Sequence, residues 1–72
     1  EKLVVDAVHV SEKENATANK IAQDYEKLAG KPIGLVQLVK NLERAKEAGL
    51  VKQTIANVDD EPILTWKTDL LL

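Results

Sequence analysis

Leu3, Val4, Ala7 and Val8 recur at intervals of three and four, the spacing at which side chains share one side of an α-helix. Residues 2 to 10 are therefore expected to form a short first helix, although the β-branched content also suits a strand. The polar stretch SEKENA follows, and Asn15 or Thr17 can cap the next element, because a short oxygen-bearing side chain accepts from the free amides of a first helical turn. Ala18, Ile21, Ala22, Tyr25, Leu28 and Ala29 trace one side of a second helix, which Gly30 ends. Pro32, with its fixed φ and missing N–H, suits the first turn of a third helix. The apolar stripe of that helix is Leu35, Leu38, Val39, Leu42 and Ala45, while Gln37, Lys40, Asn41 and Arg44 fall largely on the other side.

The period changes after Gly49. A glycine there can take the left-handed conformation that closes a helix, and Leu50 just beyond it folds back onto the last apolar turn. Residues 50 to 57 then suit a strand, NVDDEP is built from turn-forming residues, and ILTWKT alternates as a returning strand. Pro62 lacks a backbone donor, which fits a loop end or an edge strand. Trp66, on one side of that strand with Leu64, is expected in the core, as is Tyr25 with its hydroxyl at the edge. The expected fold class is thus α+β, mainly α: three helices followed by a two-stranded β-hairpin.

Composition narrows this picture without redirecting it. A chain of 72 residues is expected to form a single domain, residues 1–72, near the lower size limit for a fold held by its hydrophobic core. It begins with Glu rather than Met, so the expectation is a fragment of a longer chain, or a processed one. Tyr25 and Trp66 are the two aromatic residues, so the core must be largely aliphatic. No cysteine is present, which removes disulfides, thiolate metal sites and thiol nucleophiles and suits a reducing, cytoplasmic setting. No apolar run exceeds three residues, so no membrane span or signal peptide is expected.

The net charge of −2 is unevenly spread. From residue 31 to residue 48, Lys31, Lys40, Arg44 and Lys46 outnumber Glu43 and Glu47, whereas both flanking segments are net acidic. The positive surplus coincides with the expected third helix, and distribution matters more than the sum for attracting an anionic partner.

Helix, helix, short turn, helix and hairpin, carried by IAQDYEKLAG, LERAKEAGLVKQ and the return through ILTWK, resemble a winged helix-turn-helix domain. An Ile-Ala pair opening the second helix and a Leu followed shortly by Ala-Gly-Leu-Val before the first wing strand are features of that superfamily. The resemblance covers roughly residues 16 to 68. It implies that the third helix enters the major groove of double-stranded DNA, as in a transcription regulator or a replication or mobile-element module, with Gln37, Lys40, Asn41 and Arg44 presented to the bases. Gln and Asn can pair with adenine, Arg with guanine, and Lys with phosphate or guanine. Lys31, and the amides near residues 17–19 or 32–34, are candidates for phosphate contacts, and Lys46 is a further one.

The same residues have a plain reading as a solvated helix surface, since Lys40 and Arg44 stand at spacings that allow ordinary pairs with Glu43 or Glu47. Asp59, Asp60 and Glu61 would be repelled by phosphate, so the hairpin tip is expected to stay clear of DNA. The alternative function is protein contact, including a homodimer, through the acidic tip, the aliphatic third helix, where Val36 is expected to be partly exposed beside Leu35 and Val39, or the apolar C-terminus, Leu70 to Leu72. Catalysis is not expected: His9 is the one histidine, Ser11 the one serine, and no nucleophile–base pair is apparent. The acidic triplet lacks the spacing of a calcium loop, and the three glycines make no phosphate cradle, so no metal or cofactor is expected.

Overall fold

A computed structural model describes residues 2–69, and the expected order of elements is present. Helix α1 spans Lys2–Ser11, α2 spans Ala18–Ala29, α3 spans Leu35–Glu47, and strands β1 (Val51–Val58) and β2 (Glu61–Thr68) form an antiparallel hairpin. A short 3₁₀ turn, Glu12–Glu14, links α1 to the α2 cap. The fold class is α+β with three α-helices and a two-stranded sheet, the layout of a winged helix.

The helix ends follow from local chemistry. Thr17 caps α2, its Oγ1 accepting from the Lys20 N–H at 3.2 Å. Gly30, at φ +77°, closes α2 by donating its N–H to the Glu26 carbonyl. At the end of α3, Gly49 takes the same left-handed conformation, its N–H reaching the Lys46 carbonyl while the Leu50 N–H reaches that of Ala45. That pair of bonds turns the chain directly into β1. The start of α3 differs from expectation: Pro32 lies before the helix, and Gly34, extended at φ −68° and ψ 146°, occupies the cap position without a side chain to offer.

The core joins α1, the cap segment, α2, α3 and the hairpin base through Val4, Val8, Ala16, Ile21, Leu38, Leu42, Val51 and Trp66. Trp66 is 3% exposed, as expected, but Leu64 on the same side of β2 is 48% exposed. Leu3, Leu28, Leu35 and Val39, all assigned above to buried stripes, are also exposed. In α3 the cause is angular. Leu38, Leu42 and Ala45 cluster within about 60° of helix circumference, and Leu35 and Val39 lie off that cluster to one side.

A buried polar cluster reinforces the helical layer. The Ser11 hydroxyl donates to Asp24 Oδ2 at 2.5 Å, and Lys20 Nζ stands 3.4 Å from Asp24 Oδ1. Donation by Ser11 is the main cause that holds the Asp24 carboxyl below its usual range; burial opposes it and Lys20 assists. Glu12 ties the 3₁₀ turn to the end of β2, accepting from the Thr68 N–H and hydroxyl at 2.9 and 3.0 Å. Burial alone would raise the Glu12 carboxyl, but the two Thr68 donors, with His9 and Lys67, outweigh it and lower it.

The hairpin turn is tighter than the six-residue NVDDEP. Val58 pairs with Glu61, so the loop consists of Asp59 and Asp60, at φ +51° and +66°. Positive φ at both positions is the type I′ geometry that matches the twist of a two-residue hairpin, and Asp tolerates it better than most residues.

Candidate nucleic-acid interface

Gln37, Lys40, Asn41 and Arg44 lie on α3 at successive separations of three, one and three residues, so the helix carries them along one side. Gln37, Lys40 and Arg44 are exposed, and Asn41, nearest the core flank, is half-buried. Lys31 is exposed on the segment before α3, separate from the helical row. Four of the five expected residues therefore share one element, and the fifth approaches from its N-terminal side.

Three cations of this surface have no ion-pair partner among the described residues. Among the described residues, the ion pairs are His9 with Glu12 and Lys20 with Glu14 and Asp24; Lys31, Lys40 and Arg44 form none, although Glu43 and Glu47 are close in sequence. Lys46 instead donates to Gln53 Oε1 at 2.8 Å, tying α3 to β1 and drawing that cation away from the row. The two candidate amide sites also separate. The first turn of α2 is partly satisfied by Thr17, whereas α3 begins at Gly34 with no side-chain cap.

The sequence places Val36 as partly exposed but puts Leu35 and Val39 in the buried stripe of α3, and the exposure of those two is what it misses. Val36 is 72% exposed, and Leu35 and Val39 beside it are also exposed. Val36 carried a visible signal, since it falls off the helical stripe. Leu35 and Val39 did not, because their spacing satisfies a buried pattern that the neighbouring helices do not extend far enough to cover.

The acidic turn is exposed at the far end of the hairpin. An open cleft of about 250 Å³ between the 3₁₀ turn and the hairpin is lined by Glu12, Asn15, Thr54, Thr65, Trp66 and Lys67 among others, and includes none of the α3 row. Among the described residues, no group of three or more His, Asp or Glu is placed to hold a metal ion, and no helix is long and apolar enough to cross a membrane. Residues 70–72, named above as a possible protein contact, lie outside the described residues. No protein-family model matches the chain, and no curated protein matches it.

Proposed function

We propose that this chain is a winged helix-turn-helix domain that binds double-stranded DNA, with α3 in the major groove. The observation that carries the reading is the one-sided row Gln37, Lys40, Asn41 and Arg44, whose two cations have no ion-pair partner among the described residues. Gln37 and Asn41 supply paired donors and acceptors suited to adenine, Arg44 suits guanine, and Lys40 and Lys31 neutralise phosphates. Val36, beside Lys40 on the helix surface and in the first turn that reads base edges in related docking geometries, fits the methyl group of thymine. The acidic turn stays away from the backbone, so recognition rests on α3.

The test is fluorescence anisotropy with random-sequence duplex DNA. Two phosphate contacts, from Lys31 and Lys40, would weaken binding about 12-fold between about 50 and 200 mM salt. Lys40→Ala should weaken binding to all sequences and flatten the salt slope. Arg44→Ala at a guanine contact should cost about 1 to 3 kcal/mol and relax specificity. Absence of binding at the lower salt, or unchanged binding by both variants, would sink the proposal.

A further inference from the structure

The two edges of the hairpin are protected to different degrees. On β2, Pro62 has no outward N–H to offer, and the outward N–H of Trp66 is already bonded to the Ala16 carbonyl at 3.0 Å. On β1, the register makes Val58 with Glu61 the bonded pair next to the turn, and the alternation of an antiparallel ladder then turns Gln53, Ile55 and Asn57 outward. The bond from the Asp69 N–H to the Leu50 carbonyl fits the same alternation. Residues 53–57 contain no proline, glycine or charge, the devices that usually blunt an open edge.

We infer that two copies of this chain associate through β1, antiparallel and centred on Ile55, to make a four-stranded sheet. Gln53, Ile55 and Asn57 are symmetric about that centre, so each outward N–H and carbonyl of one copy meets its counterpart on the other. Side chains match as well. Ile55 and Leu64 are cross-strand neighbours, 61% and 48% exposed, and pairing about Ile55 lines up Leu64, Ile55 and the same two residues of the second copy in one apolar row.

Charge selects the same arrangement. Lys52 and Lys67 stand directly opposite each other in the hairpin, an unfavourable like-charge pair, and neither forms an ion pair among the described residues. Asp59, Asp60 and Glu61 are likewise without an ion pair among the described residues. Antiparallel pairing about Ile55 places Lys52 opposite Val58 of the second copy, so each acidic turn comes within one or two strand spacings, about 5 to 10 Å, of the other copy's lysines. The contact is small, and the association it supports is weak and concentration-dependent.

Sedimentation equilibrium of the 72-residue chain over about 10 µM to 1 mM, a range in which mass action reveals weak pairing, should show a monomer–dimer equilibrium. Ile55→Lys sets two like charges at the symmetry centre and should weaken the dimer by about tenfold or more, leaving the Trp66 fluorescence of the folded monomer unchanged. Val36→Lys, on the exposed side of α3, should leave the dimer intact. In the wild type, the Gln53, Ile55 and Asn57 amides should exchange more slowly as concentration rises, while that of Leu64 on the other edge does not. A chain that stays monomeric throughout, or a dimer that Val36→Lys breaks and Ile55→Lys does not, would overturn the inference.

Discussion

At its base the hairpin has Val51, Thr65 and Trp66 buried, with Trp66 bonded to Ala16 and Thr68 bonded to Glu12. Toward the turn, Ile55 and Leu64 carry equally apolar side chains in the same alternating pattern and stand in solvent. The strands are continuous across both halves, so strand propensity does not separate them. The helical layer does: α1, α3 and the segment around Ala16 reach the base of the sheet and stop. A hairpin that outgrows its core leaves a surface for other molecules, and α3 repeats the lesson with Leu38 and Leu42 buried and Val36 exposed.

Substitutions across this divide should differ sharply. Trp66→Ala removes the largest side chain of the core and should cost about 3 to 5 kcal/mol, whereas Leu64→Ala, two residues away, should change stability by about 0.5 kcal/mol or less. Urea midpoints of the two variants give the comparison directly, and equal losses would mean that the distal half is packed after all. Within α3, Leu42→Ala should cost about 2 to 5 kcal/mol and Val36→Ala about 0.5 kcal/mol or less, read in the same way.

The polar contacts beneath the hairpin and between α1 and α2 offer a subtler test. Ser11→Ala leaves a buried carboxylate without its main donor and should cost about 1.5 to 3 kcal/mol at neutral pH. Asp24 and Glu12 are both held below the usual carboxylate range, so the unfolded chain binds more protons than the folded one in mildly acidic solution. The stability they contribute is full above the unfolded carboxylate range of about pH 4 and is lost as pH falls through the lower folded values. Ser11→Ala should therefore flatten the acid limb of a stability–pH curve measured by urea unfolding; an unchanged limb would place the acid sensitivity elsewhere. The smallest effect belongs to the turn. Asp60→Gly relieves a left-handed conformation at φ +66° and separates two like charges, and should raise stability by up to about 1 kcal/mol in thermal unfolding.

Much of this architecture was legible in the chain. Helical spacing, Thr17, Gly30 and Gly49 located the helices because caps and left-handed closures are decided within a few residues of backbone. Alternation and the acidic turn located the hairpin for the same local reason. The row Gln37, Lys40, Asn41 and Arg44 could likewise be placed on one side of a helix from spacing alone.

Burial was decided by tertiary structure, because it depends on how far neighbouring elements extend. Leu35, Val39 and Leu64 satisfy a buried pattern and are exposed, since no element among the described residues lies over them. The partnership of Ser11 with Asp24, thirteen residues apart, and that of Glu12 with Thr68, fifty-six apart, arise only when α1 packs beside α2 and the hairpin returns to the 3₁₀ turn. Periodicity determines which side chains share a side of an element; the packing of elements against one another determines which of those sides meets water.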